Sequence, residues 1–262
     1  MSYLLNLIFG NMALKEQMER QGNWLFRYRG MLPLILVVFA GGVYVWGEMR
    51  SDEILLKQEP YRYIYEMFCL LVGLLGLGIR MFTVGYTPRN TSGRNTSEGQ
   101  VADQLNTTGI YSLVRNPLYL GNFFMWLGLA MLTMNFWFII SFVLFYWIYY
   151  ERIIFAEEQF LIGKFGEQYM LWADRTPCFI PKLTGYVKPA YPFSWKKVIK
   201  KEKNGLFALL LLFCAFDVGG QLLHGQPPKY MWLVYATAFV ALIYLALKIV
   251  KHNTKWLDEE GR

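Results

Sequence analysis

From Leu118 to Ile154 the chain stays apolar for longer than one bilayer crossing requires, with Asn122 and Asn135 its main polar interruptions before Glu151. A helix needs about 20 apolar residues to cross the hydrocarbon core, so this stretch reads as two helices turning near Asn135, or as one long bent helix. Four more candidates flank it: Met31 to Trp46, Tyr61 to Ile79, Gly205 to Leu223 and Tyr230 to Val250. Only 17% of the 262 residues are charged, while 55% are hydrophobic and 18% aromatic. Soluble domains carry about 25% charged residues. The expected fold is therefore all-α, a polytopic membrane bundle of about six spans. The boundaries fall at 1–30 (an amphipathic interfacial segment), 31–82 (two spans), 83–204 (a core hairpin with long loops) and 205–262 (a last hairpin and tail).

Charge then orients the bundle. Six spans put both termini on one side, and that side collects every Lys and Arg except Arg50, Lys57, Arg62 and Lys229, out of 26. Basic loops stay in the cytosol, so the termini and the long polar connections Thr83 to Asn116 and Glu151 to Asn204 are expected there, in a bacterial inner membrane or the endoplasmic reticulum. The formal net charge of +7 is explained by topology and anionic lipid, and no nucleic-acid partner is implied. Met1 to Gly30 mixes charge with apolar residues and lacks the core run of a cleaved signal peptide. The three cysteines, Cys69, Cys178 and Cys214, lie far apart, and His224 and His252 are the only histidines. No disulfide framework and no metal site is expected.

Three polar constellations border the apolar runs. In Val114-Arg115-Asn116-Pro117-Leu118-Tyr119-Leu120-Gly121, Asn at a helix start and Pro at its first position favour a helix mouth that can receive an anion. Gly121, one turn in, would let a ligand or a neighbouring helix approach closely. The plainer alternative is a capped membrane helix. In Glu151-Arg152 through Glu157-Glu158, charges sit where an apolar helix leaves the membrane. Such charges are costly there unless paired or used, or else the helix is simply emerging into water. The loop Thr87 to Gln100 offers hydroxyls, glycines and the arginines Arg89 and Arg94, which can wrap an anion or form a plain polar linker. It carries no Walker pattern, and its two Asn-x-Ser sequons are unusable in a cytosolic loop. Asp217 is the one deep carboxylate of the fifth span and the sole feature in favour of a transporter.

Taken in order, Gly109-Ile110-Tyr111-Ser112-Leu113-Val114-Arg115-Asn116-Pro117-Leu118-Tyr119-Leu120-Gly121 resembles the G-x-Y-x-x-x-R-[HN]-P-x-Y-x-G motif of the isoprenylcysteine carboxyl methyltransferase and phospholipid methyltransferase family. Arg152, Glu157-Glu158, Leu161, Phe165-Gly166, Tyr169 and Pro181 resemble its second motif. The resemblance covers roughly Thr83 to Lys182. It implies an integral-membrane enzyme that uses S-adenosylmethionine. It places Arg115, Asn116, Pro117, Tyr119, Gly121, Glu157, Glu158, Phe165, Gly166 and Tyr169 around the cofactor, and Arg152, Glu157 and Glu158 in catalysis. Asn116 stands where the family often has His, so no titratable nitrogen is available at that position. The acceptor is expected to be lipid-borne with an anionic headgroup, positioned by Arg94, Asn95, Arg152 or Arg175. A phosphate or carboxylate acceptor needs no general base, whereas an amine would need Glu157 or Glu158. The Thr91-Ser92-Gly93-Arg94-Asn95-Thr96 loop resembles bacterial members assigned to lipid A phosphate methylation. A sterol-type NADPH reductase and a non-catalytic scaffold or transporter are the alternatives.

Overall fold

The computed structural model describes residues 13–50, 58, 60–88, 91, 94–96, 99–254 and 256–259, with backbone alone for 32, 94–96 and 99–100. Eight α-helices carry it: α1 (Leu14–Arg27), α2 (Leu32–Met49), α3 (Tyr61–Tyr86), α4 (Pro117–Met131), α5 (Phe136–Phe165), α6 (Glu167–Ala173), α7 (Trp195–Leu223) and α8 (Met231–Asn253). Between α3 and α4, β1 (Arg94–Thr96) and β2 (Gly99–Val101) form a small antiparallel hairpin with Arg94 opposite Val101, followed by a 3-10 turn at Ile110–Ser112. The all-helical expectation thus holds apart from this hairpin, which occupies part of the loop read as an anion wrap.

Four helices, α3, α5, α7 and α8, are long and apolar enough to cross a bilayer. Their outward faces carry large exposed apolar residues, among them Phe68 and Leu75 of α3, Leu144 and Ile148 of α5, and Phe239 and Leu242 of α8. In water such faces would be aggregation surfaces. In hydrocarbon they are the solvent-facing side, so this is an integral membrane protein. The remaining two apolar helices are shorter. At 1.5 Å per residue, the 15 residues of α4 reach about 22 Å, short of a core of about 30 Å.

The long apolar run divides unequally because of the turn chemistry at Leu132–Asn135. Thr133 Oγ1 donates to the Ala130 carbonyl at 2.7 Å, Met134 takes φ 49°, and Asn135 Oδ1 accepts from the Phe138 amide at 2.9 Å. Asn135 therefore caps α5 as the turn the sequence places there requires.

Glycines knit α3 to α4. A Cβ on Gly76 would strike the Gly121 carbonyl and Met125 backbone, and one on Gly128 would strike the Cys69 carbonyl and Gly73 backbone. The backbones can meet only because those atoms are missing. One core cluster joins α2, α3, α4, α7 and α8 through Tyr44, Leu70, Leu129, Leu209, Phe213 and Leu233; another joins α1, α4 and α5 through Phe26, Ala130, Phe142, Tyr146 and Ile153.

Several charged residues inside the bundle are paired. At one end Arg62 bridges Glu48 (3.2 Å) and Glu66 (2.8 Å), and Tyr230 donates to Glu66 at 2.6 Å. Asp217 accepts from the Tyr230 amide at 3.2 Å. Nearer the other end, Arg80 of α3 grips Glu202 of α7 through Nε and Nη2, both at 2.8 Å, while Nη1 donates to Asn122 at 2.6 Å. There too Lys197 donates to the carbonyls of Thr87 and Pro88, fastening α7 to the exit of α3.

Candidate active site

The entry to α4 is held by the segment that follows α6. The Arg115 amide donates to the Pro177 carbonyl at 2.9 Å, the Lys182 amide to the Leu113 carbonyl at 3.1 Å, and the Gly109 amide to the Val187 carbonyl at 2.9 Å. Gly109 sits at φ 63°, a backbone conformation glycine adopts without strain. Asn116 occupies the N-cap position and Pro117 the first helical one, as expected, but the Asn116 side chain does not cap the helix. Its Nδ2 donates to the Cys178 carbonyl at 3.0 Å. Asn116 thereby staples the Pro177–Pro181 run to the helix mouth. Cys178, half-buried beside this staple, has its thiol pKa pushed up, first by burial and then by the nearby Glu158.

The far wall comes from the end of α5. The Tyr119 hydroxyl donates to Glu157 Oε2 at 2.8 Å, and the Tyr146 hydroxyl to the Tyr119 carbonyl at 2.7 Å. Glu158 faces Arg115, with Nη1 to Oε1 at 3.0 Å. This contact is an ion pair without an aligned hydrogen bond. Among the described residues, Arg115 Nε and Glu158 Oε1 are buried without hydrogen-bond partners. Tyr169 of α6 lies against both charges, and burial raises its hydroxyl pKa. Trp172 Nε1 donates to the Tyr111 carbonyl at 3.2 Å, closing α6 over the 3-10 turn.

These walls enclose one cavity of about 490 Å³, within the range of about 300–1,000 Å³ usual for small-molecule sites. Its polar end is lined by Arg29, Asn106, Tyr111, Arg115, Asn116, Tyr119, Glu157 and Trp172. Its apolar arm runs between α4 and α7 along Met125, Leu129, Ala208 and Leu212, with Arg80 and Asn122 also on the wall. Asn106 Nδ2 is buried with no hydrogen-bond partner among the described residues.

Of the residues singled out in the sequence, Arg115, Asn116, Pro117, Tyr119 and Glu157 line this cavity together. Glu158 and Tyr169 stand behind Arg115 rather than on the wall. Gly121 faces Arg80 and the Gly76 carbonyl, so it serves helix approach. Arg152, Phe165, Gly166 and Arg175 are not among the lining residues. The Arg152 carbonyl is instead where α1 seats, Gly166 makes the α5–α6 turn at φ 54°, and the Arg175 carbonyl accepts from Lys182 Nζ at 2.7 Å. The Arg94 and Asn95 side chains lie outside the described residues. Sequence reasoning missed Arg29, Arg80, Asn106 and Trp172 as cavity residues. A basic residue directly after one apolar run (Arg80) and an acidic one just before another (Glu202) were the available signal for one of them.

The phospholipid methyltransferase family matches residues 68–168, which include the α4 mouth and the paired glutamates. The cobalt-zinc-cadmium resistance protein CzcN of Cupriavidus metallidurans is 31% identical over 166 residues, 63% of this chain and 68% of that protein. The nickel-cobalt-cadmium resistance protein NccN of Alcaligenes xylosoxydans xylosoxydans is 36% identical over 117 residues, 44% of this chain and 51% of that protein. Protein-S-isoprenylcysteine O-methyltransferase of Schizosaccharomyces pombe is 41% identical over 78 residues, 29% of this chain and 33% of that one. This chain thus spans about two thirds, half and a third of the three. No solved structure matches it.

Proposed function

We propose that this chain, which belongs to the phospholipid methyltransferase family, transfers a methyl group from S-adenosylmethionine to a lipid-borne acceptor with an anionic headgroup. The observation that carries this reading is that the α4 mouth and the Glu157 wall share one cavity. The residues there fit the donor. Glu157 and the faces of Tyr119 and Trp172 suit a cationic centre, because aromatic rings attract cations through their quadrupoles. Arg115 Nε and Asn106 Nδ2, buried and unbonded among the described residues, are donors awaiting an acceptor. Leaving such groups unpaired costs about 1–3 kcal/mol each, which a ligand carboxylate or purine would recover.

When bound, S-adenosylmethionine supplies an electrophilic methyl group on a sulfonium. The protein's part is alignment and exclusion of water, which can be worth about 7–11 kcal/mol. Tyr119, itself held by Tyr146, fixes the Glu157 carboxylate. Asn116 keeps the Pro177–Pro181 segment closed over the mouth. No histidine lines the cavity, which suits an acceptor already ionised at neutral pH. The excess of basic residues at the termini and long loops supports a cytosolic opening.

Thermal unfolding of the purified chain tests the reading. S-adenosylhomocysteine at a hundredfold excess over its Kd stabilises by about 2.7 kcal/mol, a rise of several degrees for a chain this size, and NADPH leaves the Tm unchanged. Stabilisation by NADPH alone would favour the reductase. Stabilisation by neither would favour a scaffold. Incubation with methyl-labelled donor and total membrane lipid then identifies the acceptor.

A further inference from the structure

Three arginines line the cavity, and two of them already have a carboxylate partner. Arg80 spends its guanidinium on Glu202 and Asn122, and Arg115 faces Glu158. Arg29 differs. Its guanidinium stacks 4.1 Å above the Phe26 ring, and among the described residues no carboxylate lies within ion-pairing distance of it. Glu157 lines the same cavity, and among the described residues no ion pair joins it to Arg29. Arg29 belongs to the α1–α2 connection, outside the region the family shares.

Its position is built. α1 lies so close to α5 that a Cβ on Gly22 would strike the Arg152 carbonyl and Ala156, and the Tyr149 hydroxyl donates to the Leu25 carbonyl at 3.3 Å. Phe26, buried in the same contact, carries the stacked guanidinium.

A second cavity, of about 280 Å³, opens at Pro33, four residues beyond Arg29. Pro33 and Trp126 line both cavities, so the two adjoin. This groove runs between α2 and α5 past Leu36, Phe39, Phe142 and Phe145, with Ser141 its only aliphatic hydroxyl. Pro33, Leu36 and Phe39 are three residues apart on one helix face, a run of about 9 Å along the axis. Phe39 and Phe145 are 64% and 55% exposed, so the groove is open on the side that hydrocarbon covers.

We propose that this groove is the acceptor's berth: one hydrocarbon chain of an anionic membrane lipid lies between α2 and α5, with its phosphate or carboxylate on Arg29. The assignment rests on the methyltransferase reading for the word acceptor, but the binding site can be tested separately. An apolar slot alone would take any lipid. A half-buried cation in the adjoining cavity, with no carboxylate partner among the described residues, makes it selective for negative charge, since a charge-assisted bidentate contact is worth more than a neutral one. Arg29 thus sets acceptor specificity, and it lines the same cavity as Glu157.

The test uses the full chain in phosphatidylcholine vesicles containing phosphatidic acid with a photoactivatable diazirine in its acyl chain, or phosphatidylcholine with the same group. Cross-linked peptides are mapped by mass spectrometry. The phosphatidic acid probe is expected to label the Leu36 and Phe142 peptides saturably. Arg29→Ala lowers that labelling about tenfold, Arg29→Lys restores much of it, and Leu36→Trp blocks it while stabilisation by S-adenosylhomocysteine is unchanged. Equal labelling by both probes overturns the proposal, because the groove then holds bulk lipid. So does displacement of the probe by excess inorganic phosphate, which would make Arg29 a site for a free anion. Loss of S-adenosylhomocysteine binding in Arg29→Ala overturns it too, since Arg29 would then belong to the donor. A wild-type chain that takes phosphatidic acid here yet ignores S-adenosylhomocysteine keeps the lipid site and defeats the methyltransferase reading.

Discussion

At the scale of single residues, Asn116 shows how a side chain can be placed correctly by its neighbours and used differently. Its position before Pro117 is legible from the sequence, as is its place at the helix mouth. Its partner is not, because the Cys178 carbonyl lies 62 residues away and no local pattern encodes that contact. The staple has a measurable result at Cys178. Burial disfavours the thiolate, so at any given pH Cys178 carries less of it than an unfolded cysteine, whose pKa is about 8.5. Iodoacetamide should therefore modify the Cys178 peptide more slowly in the folded chain than in the unfolded one at pH 7 to 8. The rate should continue to rise at pH values where the unfolded reference has levelled off. The stability linked to this thiol is intact below the unfolded pKa and declines as pH rises through it. Modification at equal rates in both states would mean that the segment over the mouth is open.

At the scale of helices, the sequence made the apolar runs, the turn at Asn135 and the last hairpin readable, because each is a local property of composition or capping. It also offered two uses for Gly121, a ligand or a neighbouring helix, and the helix is what meets it. The glycine contacts separate structural from incidental positions. Gly76→Val should force α3 and α4 apart, since its Cβ would meet backbone that cannot step aside. Overpacking of this kind costs about 1–3 kcal/mol or more. Gly41→Ala, with nothing within 4 Å of the new carbon, should be neutral or slightly stabilising through helix propensity. A Tm measured in detergent for both variants decides the matter. Equal Tm values would mean that the helices do not pack this closely. What could not be read at this scale was α1. Its amphipathic pattern fits a helix lying on lipid, and its seat on α5 depends on Gly22 meeting a carbonyl in a distant part of the chain.

At the scale of the whole molecule, the sequence motifs located the cavity's two polar walls but not its third, because Arg80 read only as a cytosolic flank of the second span, and Ala208 and Leu212 only as parts of the fifth, until α3 and α7 are packed side by side. The Arg80–Glu202 clamp is the clearest case. Glu202 is almost fully buried, and removing one partner of a buried ion pair costs about 3–5 kcal/mol. Glu202→Gln should lower the Tm markedly, and the double change Arg80→Met with Glu202→Leu should recover most of the loss. If the double variant is as unstable as the single one, the pair contributes more than charge compensation. The clamp also limits how this protein can be rearranged over evolution or by design. Arg80 lies within the shared family region and its acid lies beyond it, so the terminal hairpin is not an interchangeable appendage. A chimera carrying a foreign ending must supply a carboxylate in register, or change the arginine at the same time; otherwise it strands a bare cation in oil.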